Sequence, residues 1–239
     1  MCVRDNGSVS TLATVVDCRS DHQDEVIAHT GLGVPRSGRE THHGRCRPGH
    51  IFVVHVQSRR EHPVHPAHGG LFPSWSPDGR AIVFSTLQRD LNGEWIHLVT
   101  PAGTNLRDLA EPAFDAVQEG LAWSPDSRRI AYSGHSGDGN RAIWTMNRDG
   151  SDRRQLTFPT PVVPRGSGGD HIGAWSPDGK QIVYSSWQSE DFDLFVMKAD
   201  GSDIRELTEW PRGDGAAAWL RSGKIVFSHL SGEEPLSHW

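Results

Sequence analysis

Trp175-Ser176-Pro177-Asp178-Gly179, followed by Lys180-Gln181-Ile182-Val183-Tyr184-Ser185, is the stretch on which the reading of the chain turns. The phrase recurs as Trp75-Ser76-Pro77-Asp78-Gly79 before Ile82-Val83-Phe84-Ser85, and as Trp123-Ser124-Pro125-Asp126-Ser127 before Ile130-Ala131-Tyr132-Ser133. A worn fourth copy runs Trp219-Leu220-Arg221-Ser222-Gly223 into Ile225-Val226-Phe227-Ser228. The four tryptophans stand 48, 52 and 44 residues apart. Self-similarity at such a period means stacked supersecondary units.

Pro presets its own φ, Asp hydrogen-bonds nearby backbone and Gly accepts positive φ, so Pro-Asp-Gly reads as a tight turn. The β-branched and aromatic run after it reads as a strand. Each phrase is thus a hairpin whose strand A ends at Trp and whose strand B begins near Ile. A second hairpin follows in each copy. Ile143-Trp144-Thr145-Met146 turns through Asp149-Gly150-Ser151 into Arg153-Arg154-Gln155-Leu156-Thr157, and Leu194-Phe195-Val196-Met197 turns through Asp200-Gly201-Ser202 into Ile204-Arg205-Glu206-Leu207-Thr208. Ile96-His97-Leu98-Val99 and Leu106-Arg107-Asp108-Leu109 flank Ala102-Gly103-Thr104 in the same way. Asp-Gly between alternating strands is a strong hairpin signal. Four strands per unit of this length is the blade of an all-β protein, the β-propeller.

These phrases, together with Phe195-Val196-Met197-Lys198-Ala199-Asp200-Gly201-Ser202 and Glu206-Leu207-Thr208, resemble the WD40-like (PD40) repeat of the TolB family over residues 51–229. The resemblance implies a propeller fold, with six or seven blades usual in the family. Its known members range from periplasmic proteins to propeller domains of oligopeptidases and some polysaccharide lyases, so the repeat by itself fixes no activity.

Ile51-Phe52-Val53-Val54 and Arg60-Glu61-His62-Pro63-Val64 read as strands C and D with no A–B pair before them, and Ile225–Ser228 is a strand B with few residues after it. The two half-blades are complementary, and together with three whole blades they give about four. A small closed ring, a fragment of a larger propeller, and two chains completing each other as a dimer all satisfy that count. Residues 1–50 lack strand alternation and read as an irregular or disordered segment, leaving 51–239 as the propeller.

A formal net charge of −6 argues against nonspecific nucleic-acid binding, which draws on basic surfaces. The apolar runs are too short for a membrane-spanning helix. Met1-Cys2-Val3-Arg4-Asp5-Asn6-Gly7 lacks the pattern of a secretory signal, which points to the cytoplasm, whereas the resembled family is mostly periplasmic or secreted. Three cysteines (Cys2, Cys18 and Cys46) confined to the first segment form no disulfide framework.

No Gly-x-Ser-x-Gly elbow or phosphate-binding loop is present. Nor does the chain have room for the hydrolase domain of an oligopeptidase. His42, His43, Cys46 and His50 match no structural zinc spacing. More informative are the connections from strand D to the next strand A. Gly103 to Trp123 is 20 residues, Gly150 to Trp175 is 25 and Gly201 to Trp219 is 18, whereas Trp to the following turn glycine stays at 28, 27 and 26. Length variation concentrated on one face marks a binding face. His68, Asp115, Glu119, Asp170, His171 and Asp214 fall there, just before strand A, with Trp210 beside them. Solvated loop residues are the plain alternative.

Two functions follow. The first is a non-catalytic scaffold that binds a protein or peptide partner across this face, with Trp187, Phe192 and Trp210, which fall between the repeat columns, as anchors. The second is a channel-mouth enzyme such as a metal-assisted polysaccharide lyase or hydrolase, with Asp170, His171 and Glu119 as base and metal ligands. Converging carboxylates at that position also suit Ca²⁺.

Overall fold

The Trp-Ser-Pro-Asp-Gly phrase closes its hairpin through its own side chains. In the computed structural model, Ser176 Oγ donates to Asp178 Oδ1 (2.6 Å) and accepts from the Gln181 N–H (2.9 Å), while the Lys180 N–H donates to the same Asp178 oxygen (3.1 Å). Ser76 and Ser124 repeat the arrangement with Asp78 and Asp126. Serine and aspartate therefore satisfy the turn's backbone donors, and Gly79 and Gly179 take positive φ (70° and 71°) where a side chain would be strained. Ser127 fills that place in the third copy at φ 61°. The second turn uses the same chemistry: Ser151 Oγ donates to Asp149 Oδ1 and Ser202 Oγ to Asp200 Oδ1, each at 2.6 Å.

The structure describes residues 10–11, 14–15, 50–55, 60–65, 70–88, 93–110, 120–136, 140–159, 169–188, 191–211 and 213–229. Among them no helix is long and apolar enough to cross a membrane. The chain divides into two compact units, Met1–Glu111 and Pro112–Trp239.

In the first unit, β1 (Ser10–Thr11) and β2 (Thr14–Val15) lie along one edge of β3 (His50–His55), whose other edge pairs with β4 (Arg60–His65). The edge of β3 on which a composite blade would have built is thus occupied by Ser10–Thr11 and Thr14–Val15, in a segment whose sequence has no strand alternation. An open edge accepts any extended segment, because the bonds it needs are backbone bonds. A full blade follows: β5 (Gly70–Trp75), β6 (Ile82–Gln88), β7 (Gly93–Val99) and β8 (Arg107–Ala110), each antiparallel to the next. Ile51, Val53 and Val64 of the first sheet pack with Ile82, Phe84 and Val99 of the second, with Trp75 against them.

The second unit holds the blade β9 (Leu121–Trp123), β10 (Arg129–His135), β11 (Arg141–Asn147) and β12 (Arg154–Gln155). The next is β13 (Asp170–Trp175), β14 (Gln181–Gln188), β15 (Asp191–Lys198) and β16 (Arg205–Glu206), and then comes the pair β17 (Asp214–Trp219) and β18 (Ile225–His229). Side chains alternate across a strand, so β14 serves two layers. Ile182 and Tyr184 pack with Trp175, Phe195 and Met197 against Ala131, Ile143 and Leu156 of the preceding blade. Val183, with Leu194, packs against Ala217 on the other side, where Trp219, Ile225 and Phe227 join.

Polar ties reinforce these layers. The Trp175 indole N–H donates to the Ala122 carbonyl (3.1 Å) and the Ile172 N–H to Ser133 Oγ (2.8 Å), each joining one blade to the one before it. The expected all-β architecture of four-stranded propeller blades is the one observed, including strand A ending at Trp and strand B opening at Ile in β5–β6 and β17–β18.

Ile182 is wholly buried between blades, so Ile182→Ala is expected to cost about 2–5 kcal/mol in urea unfolding. Phe158, an exposed aromatic, is the control: its alanine variant should stay within about 0.5 kcal/mol of the parent. Equal losses in the two variants would contradict the layered packing.

Candidate functional site

The register of each blade fixes which residues meet at the end where strand A begins and strand B ends. Four residues beyond the first Ile of strand B, the paired positions are Gly70, Thr86 and Trp95 in β5–β7, and Gly134 and Ala142 in β10–β11. In β13–β15 they are Asp170, Ser186 and Asp193, and in β17–β18 they are Asp214 and His229. The backbone is identical in plan, and only in the last two sheets is the row acidic. Gly169 and Gly213 precede the two strand-A aspartates, both at positive φ (129° and 81°), and turn the incoming connection into the strand.

Burial sorts these groups. Asp170, expected at a channel mouth, is only 2% exposed. Ser186 Oγ donates to Asp170 Oδ1 (2.5 Å), and Thr157, from the end of the preceding blade, hydrogen-bonds the same carboxyl. Thr157 Oγ1 also accepts from the Ile143 N–H (2.8 Å), so this threonine and aspartate latch one blade to the next. Burial pushes the Asp170 carboxyl above its ordinary range, against the lowering effect of Ser186, Thr157 and the neighbouring His171. Thr208 repeats the threonine half of the latch, accepting from the Leu194 N–H (3.0 Å).

Asp214 is 1% exposed, and His229 Nδ1 lies 2.8 Å from its Oδ1. Its other oxygen, Oδ2, has no hydrogen-bond partner. Trp210 packs on the histidine of this pair: its ring meets His229 edge-on at 5.3 Å and Phe227 at 5.9 Å while remaining 53% exposed. A second aromatic group stands on β13–β15. Phe192 contacts Trp187 at 4.9 Å and His171 at 5.1 Å, and His171 Nε2 lies 3.5 Å from Arg141 Nη1.

Asp193 adjoins Phe192 and escaped the sequence reading. It is 8% exposed, and its Oδ1 has no hydrogen-bond partner. Burial, followed by repulsion from Glu206, Asp214, Asp191 and Glu209, raises its pKa. The available signal was its column, since a carboxylate stands where the other blades place Trp95 and Ala142. His229 was missed for the same reason, standing where β14 has Ser186.

The structure therefore brings Trp210 and Asp214 together, and places Asp170 beside His171 in β13. His68, Asp115 and Glu119 lie outside the described residues, as do His42, His43 and Cys46. Among the described residues, no three His, Cys, Asp or Glu side chains converge as metal ligands would.

One arrangement in the first unit resembles catalytic machinery. Thr86 Oγ1 is 2.7 Å from His97 Nε2, and His97 Nδ1 is 2.8 Å from Asp108 Oδ1. The three residues lie on adjacent strands β6, β7 and β8, His97 stacks on Phe84 at 5.1 Å, and the Thr86 hydroxyl is buried. This chain of bonds ties the three strands together.

Repeat, register and blade topology define a β-propeller of WD40-like blades. No family model matches the chain. It is 25% identical over 171 residues to an uncharacterised protein of Agrobacterium fabrum, covering 70% of this chain and 53% of that one. It is 35% identical over 98 residues to the Tol-Pal system protein TolB of Anaeromyxobacter dehalogenans, covering 41% of this chain and 20% of that one. The crystal structure of TolB from Acinetobacter baumannii is similar with a TM-score of 0.62 at 16% identity, over 79% of this chain and 44% of that chain. The chain thus shares the propeller fold of TolB proteins and is similar to them in sequence over part of its length, and it spans about half the length of the first of these relatives and less than half of the other two.

A carboxyl whose pKa rises on folding holds its proton more tightly in the folded chain. Its contribution to stability therefore falls as pH climbs from the ordinary carboxylate range through the raised value. Asp193→Asn cannot ionise and escapes that loss. The variant is expected to unfold at higher urea concentration than the parent at pH 7 and at nearly the same concentration at about pH 3. A variant less stable than the parent at pH 7 would contradict the assignment of Asp193 as a repelled, buried carboxyl.

Proposed function

We propose that this chain is a non-catalytic scaffold that binds a protein or peptide partner across the end of the blades carrying the D–A connections. The observation that carries the reading is Trp210, a large aromatic half in solvent yet held in place by Phe227 and His229. A pre-positioned aromatic contributes large contact area with little ordering cost, and such residues dominate binding hot spots. Trp187 and Phe192 supply a second aromatic contact on the neighbouring blade. Trp210 itself lies in one of the D–A connections, the segments whose lengths vary from repeat to repeat. The TolB relative is by name a component of a larger protein system, which supports a partner-binding role.

Selection of a random peptide library on the whole immobilised chain tests this reading. Enriched peptides should bind in solution, and Trp210→Ala should weaken them by about 30-fold, the equivalent of a hot spot of about 2 kcal/mol. Failure to enrich any peptide, or binding indifferent to Trp210→Ala in a folded variant, would overturn it.

A further inference from the structure

We infer that the partner group received at this face is a guanidinium, an arginine side chain seated against Asp193 and Asp214 beneath Trp210. The inference rests on the partner-binding reading and names the chemistry that the partner must bring. Burying a carboxylate without a partner is costly, and native structures pair such groups or surround them with donors. Here two carboxylates on the contacting strands β15 and β17 each keep an oxygen with no hydrogen-bond partner: Asp193 Oδ1 and Asp214 Oδ2, on side chains 8% and 1% exposed overall. These orphaned oxygens are the second observation that turns an acidic surface into a receptor, because solvated carboxylates would have no need of a ligand.

The surroundings select the sign and shape of that ligand. Glu206, Glu209 and Asp191 add negative field around Asp193, and among the described residues the basic side chain at Asp214 is His229, already committed to Asp214 Oδ1. Two oxygens on separate carboxylates call for donors that diverge from one rigid group. A guanidinium has five N–H donors in a planar fork, whereas an ammonium has three on a point charge. Trp210 adds an exposed ring at the rim, and guanidinium groups stack on indole faces. A divalent cation would ask for more oxygen ligands than this pair provides.

The probe is N-acetyl-arginine-N′-methylamide, which carries one guanidinium and no other charge. Its neutral citrulline counterpart and the lysine counterpart serve as controls. The readout is the indole N–H signal of Trp210 in two-dimensional NMR of the whole chain, assigned with Trp210→Phe. A saturable shift with the arginine probe is expected, absent with citrulline and at least about tenfold weaker in affinity with lysine. Asp193→Asn should reduce arginine affinity by at least about tenfold while leaving the other indole signals in place. No shift with the arginine probe overturns the inference, as does equal binding of lysine or of citrulline, or binding unchanged in Asp193→Asn. Calcium chloride producing the same shift at lower concentration than the arginine probe would also overturn it, in favour of a metal site. Peptide selection and the Trp210→Ala result decide the broader reading independently. Enriched peptides lacking arginine would leave that reading standing while this inference falls.

Discussion

The structure depends on the need to cover both faces of every middle strand. Ile182 and Tyr184 of β14 must be buried against one blade and Val183 against the next, so β14 cannot slip by one residue without turning an apolar set into the wrong layer. That constraint fixes the register of the strands on either side. It also delivers the same row of positions to the same end of each blade. Chemistry can vary along that row at little cost to the fold, because the apolar columns beneath hold the register. Gly70, Thr86 and Trp95 occupy it in one blade, and Asp170, Ser186 and Asp193 in another.

The turns and strands were legible in the sequence because their causes are local. Ser176, Asp178 and Gly179 satisfy one another within a few residues, and alternation in Ile182–Ser185 reports a strand in any surroundings. The pairing of Ser10–Thr11 and Thr14–Val15 with β3 was not legible, because an open edge recruits backbone and leaves no mark on side-chain pattern. At the candidate site, position could be read but burial could not. Asp170 and Asp214 were placed just before strand A, but their near-complete burial follows from Thr157 and Ser186 in one case and from His229 and Trp210 in the other. Those neighbours come from other strands or connections. Asp193 was overlooked because in one dimension it is an acidic residue among several at Glu190-Asp191-Phe192-Asp193. Only the cross-strand register shows it standing in a column that is apolar elsewhere.

The two aspartate environments show how one repeat supports two roles. Asp170 is fully engaged by hydroxyl groups from two blades and serves as a latch. Asp214 has exchanged the serine for His229, which takes one oxygen and leaves the other unpartnered. A structural polar tie has thereby been opened on one side, under an aromatic residue that faces solvent. That difference, and not the acidic content of the connections as such, is the feature on which the proposed binding surface rests.

Amide hydrogen–deuterium exchange of the whole chain, free and saturated with a selected peptide, tests the central claim most directly. The account predicts new protection in 186–193 and 206–214, the segments that carry Trp187, Phe192, Asp193 and Trp210, with the opposite turns at 176–181 and 199–203 unchanged. Protection confined to those opposite turns, with 186–193 and 206–214 exchanging as in the free chain, would contradict it.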